Sequence, residues 1–208
     1  MNATLSVDRG GQRLLRAEGL AYDVASGRWI ATPPAAGEPI DAAAAMRWLA
    51  AECGVRWRVP VGVIGPRDVD AERYALAERV GAGLAELRLP VLCGGRGGVM
   101  EAVCKGAASA GGLAIGLLPE ADPSLANAHA GIVIATGIGE ARNALIARAS
   151  LCLVAIGDSY GTLSEVALGR QFGKRVIGLA GAARVEGVEH VASADDALQL
   201  VAETVLGL

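Results

Sequence analysis

The residues best placed to do chemistry lie between Leu151 and Leu179, in LCLVAIGDSYGTLSEVALGRQFGKRVIGL. An apolar run from Leu151 to Ile156 breaks into the polar turn Gly157-Asp158-Ser159-Tyr160-Gly161-Thr162. A helical pattern follows with Glu165 in its first turn, and a second apolar run begins after Gly173. The order is strand, turn, helix, strand. The first N–H groups of a helix lack intrahelical partners and carry the positive end of its dipole, so such a turn is a ready phosphate site. Glu165 admits two readings. With Thr162 it spells T-x-x-E, a capping box that only stabilises the helix start. Alternatively it sets a carboxylate beside a bound sugar, where it hydrogen-bonds ribose hydroxyls or stabilises an oxocarbenium-like transition state. Spacing alone does not separate the two.

Two further segments offer groups for an anion. Gly94, Gly95, Arg96, Gly97 and Gly98 follow the apolar Pro90–Cys93 and precede a helical pattern opening Val99-Met100-Glu101. Glycine permits positive φ and close backbone approach, which an N–H cradle around an anion needs. No Lys-Ser/Thr follows, and the spacing is not G-x-G-x-x-G, so this is neither a Walker loop nor a dinucleotide fingerprint. By itself it reads equally well as a structural turn. Arg142-Asn143 stands near the start of another helical pattern, in GIGEARNA. Arg142 either contacts a phosphate or orients a carboxylate, or it is a solvated or interface arginine.

These groups need a frame that gathers them. From Val59 onward, apolar runs alternate with helical patterns. Strands are expected at Val59–Ile64, Pro90–Cys93, Leu113–Leu118, Ile132–Ala135, Leu151–Ile156 and after Gly173; helices at Asp70–Leu87, Val99–Ala110, Gly139–Ala149 and Ser193–Val205. Strands apolar throughout, in β-α alternation, predict an α/β fold with a mostly parallel sheet covered on both faces. Ligands of such sheets bind beyond the carboxyl ends of the strands. Gly65, the Gly94–Gly98 turn with Met100 and Glu101, and the Gly157–Thr162 turn all follow strands and are expected at that edge. Residues 1–55 read as an extension to a ligand-binding domain over 56–208. The extension is expected to hold a small hairpin (Leu20–Tyr22 and Arg28–Thr32 around Ala25-Ser26-Gly27) and a linker, Thr32–Gly37. A helix over Ala42–Cys53, capped by Asp41, completes it, with Met46, Leu49 and Ala50 on one face. Trp29 in the hairpin either packs on its own domain or across a dimer, or offers a docking surface.

Composition narrows the function. A chain of 208 residues, 52% hydrophobic, fits one α/β domain with a short appendage. The formal charge is −3, carried against 17 arginines and only two lysines, so no clustered basic surface and no nucleic-acid partner are expected. Aromatics, at 3%, are too few for a platform that stacks successive bases. The four cysteines, none in CxxC spacing, read as small buried hydrophobes in a reducing compartment. With His129 and His190 the only histidines, no metal site is expected. The opening residues lack a signal peptide's apolar run, and no segment is long and unbroken enough to span a bilayer. A soluble, cytoplasmic protein without membrane contact is therefore expected.

The segments above carry a family resemblance. GDSYGTLSEVALGRQFGKRVIGL resembles the PGGxGTxxE motif of the LOG (Lonely Guy) family, GGRGGVMEAVCKGA resembles that superfamily's GGxxGxMxAVxxGA segment, and EARNALIARASLCLVAIG its arginine-bearing helix. The likeness covers Val59 to Ala180, and the Arg142-Asn143 pair places the chain nearest the molybdenum-cofactor carrier proteins. The resemblance implies a Rossmann-like, doubly wound fold and a homodimer or higher homo-oligomer. It implies Arg142 and Glu165 as catalytic residues and Gly161 and Thr162 in the phosphate turn. It also implies one of two activities. One is a phosphoribohydrolase releasing free base and ribose 5-phosphate from nucleoside 5′-monophosphates; the other is a carrier for a phosphorylated, molybdopterin-type pterin. No separate cofactor is required on either reading. The lysine decarboxylase label borne by some relatives is not expected, since Lys105 and Lys174 sit in no pyridoxal phosphate setting. One departure matters: Gly157, Asp158 and Ser159 stand where the motif has PGG. An aspartate facing a phosphate costs on the order of 1–4 kcal/mol a few Å away. Asp158 then either points away or marks a different ligand, and Ser159 offers a hydroxyl.

Overall fold

The computed structural model describes residues 4–208, which divide into two compact units. One holds the described residues up to Arg56 together with Gln199–Leu208; the other runs from Trp57 to Leu198.

The first unit is built on a five-stranded antiparallel sheet of order β4-β3-β2-β1-β5. Its strands are β1 (Leu5–Asp8), β2 (Arg13–Arg16), β3 (Leu20–Asp23), β4 (Arg28–Ala31) and β5 (Glu38–Ile40). The expected hairpin is β3–β4, with Tyr22 opposite Trp29. The other three strands, β1, β2 and β5, are not among those expected. Trp29 meets the Tyr22 ring edge-on at 5.3 Å, and its Nε1 donates to the Leu206 carbonyl at 2.6 Å. It therefore packs within its own unit. Helix α1 (Ala42–Glu52) starts at Asp41, whose carboxylate accepts from the Ala44 N–H at 2.7 Å.

The second unit is the expected α/β layer structure. Strands β6 (Val61–Ile64), β7 (Val91–Cys93), β8 (Ala114–Leu118), β9 (Ile132–Ala135), β10 (Leu153–Ile156), β11 (Val176–Leu179) and β12 (Val188–His190) form one sheet. Its order is β12-β11-β10-β6-β7-β8-β9, with every pairing parallel. The strands β6, β10 and β11 are buried at every position, which is why they read as unbroken apolar runs. Edge strand β9 instead leaves Ile132 and Ile134 about half exposed.

The chain leaves β6 toward β7, β8 and β9, then returns to the other side of β6 for β10, β11 and β12. The first run is crossed by α2 (Ala71–Glu86) and α3 (Val99–Ser109), which pack on each other. The return is crossed by α4 (Arg142–Ala149) and α5 (Tyr160–Gln171), which also pack on each other. Right-handed crossovers in opposite directions set the two helix pairs on opposite faces. Between β6 and β10 the winding reverses, and there the loops after the two strands part and open a crevice. Beneath it Ile64, Ile146, Leu153, Ala155, Val166 and Val176 form a dry core. Helix α6 (Ala194–Leu206) has its residues divided between the units after Leu198. No helix among the described residues is long and apolar enough to cross a membrane.

Helices α2 and α3 approach closely because both present glycine at the crossing. A Cβ on Gly106 would strike the Glu78 carbonyl, and one on Gly81 the Val103 carbonyl. Backbone cannot yield as a side-chain tip can. Gly106→Ala is expected to cost about 1–3 kcal/mol through overpacking, read as a lower urea midpoint with unchanged slope.

Candidate functional site

The loops after β6 and β10 and the start of α4 enclose a cleft of about 590 Å³, a volume suited to a small organic ligand. Its walls are Gly65 to Asp68 after β6, Arg96 and Met100 near the start of α3, Glu140 to Asn143 at the start of α4 (Ala141 excepted), and Ser159 to Glu165 of α5 (Leu163 excepted).

Helix α5 starts one turn earlier than the T-x-x-E reading requires. The cap is Ser159, whose Oγ accepts from the Thr162 N–H at 3.1 Å and lies 2.9 Å from Thr162 Oγ1. Thr162 is thus the third helical residue, and Glu165 sits in the second turn rather than the first. The capping role offered for Glu165 is therefore taken by Ser159, and the carboxylate is released for other work. The cap uses the Thr162 N–H only. The N–H groups of Tyr160 and Gly161 keep no acceptor among the described residues and stand at the cleft.

Glu165 is 6% exposed and meets Arg142, itself 5% exposed, with Nη1 to Oε1 at 3.3 Å. The same Nη1 donates to Asn143 Oδ1 at 2.7 Å, and Nη2 to the Gly94 carbonyl at 3.4 Å. Arg142 therefore ties the start of α4 to the turn after β7 and to α5. Its Nε has no hydrogen-bond partner among the described residues. A buried guanidinium donor without an acceptor is costly, and an arriving anion would satisfy it. Asn143 extends the network: its Nδ2 donates to Ser164 Oγ at 3.1 Å, which donates to the Gly161 carbonyl at 2.7 Å.

Burial pushes the Glu165 carboxyl up to about 8, outweighing the attraction of Arg142, and the charge of Glu140 adds to the rise. Near neutral pH it is largely a carboxylic acid, able to donate a proton or a hydrogen bond. Arg67 is exposed at the rim, and Arg96 is paired with Glu120, its Nε donating to Oε2 at 3.1 Å.

The other expected site residues sort by place. Gly65, Met100, Ser159, Tyr160, Gly161 and Thr162 line the cleft with Arg142 and Glu165. Gly94, Gly95, Gly97, Gly98, Glu101, Gly157 and Asp158 do not. Three of the glycines after β7, Gly94, Gly95 and Gly98, lie in close contact with the rest of the protein. Gly94 lies under the Arg142 guanidinium, where a Cβ would meet Cζ at 2.9 Å; Gly95 lies against Gly116 of β8. Gly98, at φ +67°, presses on the Arg67 carbonyl, where no Cβ fits. Asp158 is exposed and is not among the residues that line the cleft, so its charge need not oppose an anion there. Glu101 lies near Tyr74 and Lys105 of the α2–α3 pair. Pro66, Arg67, Asp68, Glu140 and Ser164 join the walls without having been singled out. The signal for the first three was their place right after β6, at the reversal of the winding.

The high carboxyl value has a consequence for stability. Glu165 binds its proton more tightly folded (about 8) than at its ordinary value of 4.5. Its contribution is full below about 4.5 and is lost as pH rises to about 8, by up to roughly 5 kcal/mol. Glu165→Gln should remove this loss, so wild type minus variant, followed by urea unfolding from pH 5 to 9, should fall steadily.

With the site described, its relatives can be compared. Residues 58–205 match the SLOG cluster4 family. An uncharacterized protein of Archaeoglobus fulgidus is 43% identical over 138 residues, 66% of this chain and 91% of its own length. Among solved structures, the molybdenum cofactor binding protein of the phototrophic bacterium Rippkaea orientalis is 33% identical, with a TM-score of 0.66 over 69% of this chain and 96% of that one. The molybdenum cofactor carrier protein of Chlamydomonas reinhardtii is 33% identical, with a TM-score of 0.65 over 73% of this chain and all of that one (100%). The segment matched to the family contains every cleft residue named above, and the chain belongs to the SLOG cluster4 family.

Proposed function

We propose that this protein binds a small phosphorylated heterocycle, a pterin of the molybdopterin type or a nucleoside monophosphate, and holds it as a carrier. The observation that carries the reading is the set of unsatisfied donors around one cleft: the Tyr160 and Gly161 N–H groups at the start of α5 and the buried Nε of Arg142. Such donors suit a phosphate, and the cleft volume suits the ring attached to it. The likeness to molybdenum cofactor binding and carrier proteins favours the pterin. The chemistry of such a cargo belongs to the cofactor; the residues here would bind and orient it.

A second reading, N-glycosidic cleavage of a nucleoside 5′-monophosphate, is favoured by one observation. Glu165 is a carboxyl pushed to about 8 and touching Arg142, so it is protonated near neutral pH beside the phosphate donors. A carboxyl of this kind can protonate a leaving base or, once ionised, stabilise charge on the ribose ring. On either reading we propose a homo-oligomer in the cytoplasm. The half-exposed Ile132, Ile134 and Leu145 on the parallel-sheet unit support the assembly.

One experiment separates the readings. Native mass spectrometry of the purified protein and of Glu165→Gln is combined with incubation of both with AMP and other nucleoside monophosphates. A carrier retains its ligand in both forms and releases no base. A hydrolase releases base, and Glu165→Gln lowers the rate by at least about 10²-fold. A protein that retains no phosphorylated ligand and releases no base contradicts both.

A further inference from the structure

Of the chain's seven aromatic rings, one stands almost wholly in solvent. Tyr22 and Trp29 pack on each other, Trp48 is buried, Trp57 is half-buried, Tyr74 lies under Lys105 and Phe172 under Arg148. Tyr160 is 95% exposed; the next most exposed large hydrophobic side chain among the described residues is Leu125, at 54%. A lone exposed side chain on an open surface would need no explanation. This one stands in the wall of the ligand cleft, at the first position of α5, next to the N–H groups that have no acceptor. The cleft wall also includes Pro66 and Met100, apolar but without a flat face.

We propose that the Tyr160 ring is the stacking platform for the heterocycle of the bound molecule, so that this residue, and not the phosphate donors, selects planar ligands. The inference rests on the ligand-binding reading above and adds to it the part of the ligand that is recognised. The N–H groups of Tyr160 and Gly161 hold the phosphate, and the ring projects from the same residue. The ligand's ring and its phosphate are then read within a few bonds of each other, as in a nucleoside monophosphate or a pterin phosphate. A Cβ on Gly161 would meet only Ser159 Oγ, at 3.8 Å, outside its two chain neighbours, so the start of α5 is not crowded by other elements. Stacking on an aromatic face discriminates a planar ring from none, and it tolerates either heterocycle because every such ring has a π face.

The test compares three probes by calorimetry: AMP, neopterin monophosphate (which has no N-glycosidic bond to cleave) and ribose 5-phosphate. Wild type should bind at least one heterocyclic probe more tightly than ribose 5-phosphate. Tyr160→Ala should reduce that preference about tenfold or more while leaving the Kd for ribose 5-phosphate unchanged, and Tyr160→Phe should keep it. If Tyr160→Ala leaves the preference intact, or weakens all three probes in proportion, the ring is not the platform. A change in oligomeric mass on size exclusion with the preference intact would assign the ring to contact with a second copy and overturn the proposal. Failure of wild type to bind any of the three would remove the ligand-binding reading itself, and this inference with it.

Discussion

The guanidinium of Arg142, buried beneath the cleft, sets the terms for the rest of the site. Arginine cannot shed its charge at any ordinary pH, so a site that buries it must surround it with acceptors. Three elements supply them: Asn143 from the same helix, the Gly94 carbonyl from the turn after β7, and Glu165 from α5. Each is fixed by this demand. Gly94 must lack a side chain because the guanidinium occupies that space. Asn143 must turn its oxygen toward Arg142, which aims its amide at Ser164 and so steadies the first turn of α5. Removing the guanidinium would leave the Asn143 oxygen and the Gly94 carbonyl without the donor that joins them.

The same burial explains the behaviour of Glu165. An ion pair at a surface would keep the carboxylate charged, but here desolvation wins over an attraction acting at 3.3 Å. The result is a site with a permanent positive charge, a neutral acid and two backbone N–H groups at a helix start, on residues that line a cleft at the one place where the sheet reverses its winding. That combination suits an anion and the relay of a proton. Whether the proton is ever used distinguishes a carrier from a hydrolase, and the frame is the same for both.

Much of this was legible in the residues. The α/β frame followed from strands apolar at every position, and the gathering of the post-strand turns at one edge followed from parallel order. Arg142, Glu165 and the Ser159–Thr162 turn were identified from spacing and resemblance. The role of the glycine-rich turn was not legible. Glycines that admit a ligand and glycines that admit a neighbouring backbone or an arginine side chain look alike in sequence, and only the structure shows that Gly94, Gly95 and Gly98 lie hard against such neighbours. The start of α5 was misplaced because Ser159 and Thr162 are both good caps, and only the backbone shows that Ser159 takes the position. The antiparallel sheet of the first unit was mostly missed: of its strands only β3 and β4 are among those expected.

The central claim is that burial keeps Glu165 protonated at neutral pH although it touches Arg142. It is tested most directly by following the Glu165 side-chain carboxyl carbon by NMR across pH 4 to 10, with Glu165→Gln used to assign the signal. The account predicts a midpoint near 8 in the ligand-free protein. A midpoint at or below the ordinary glutamate value of about 4.3 would contradict it, and would make the pair a conventional ion pair in which Arg142 governs.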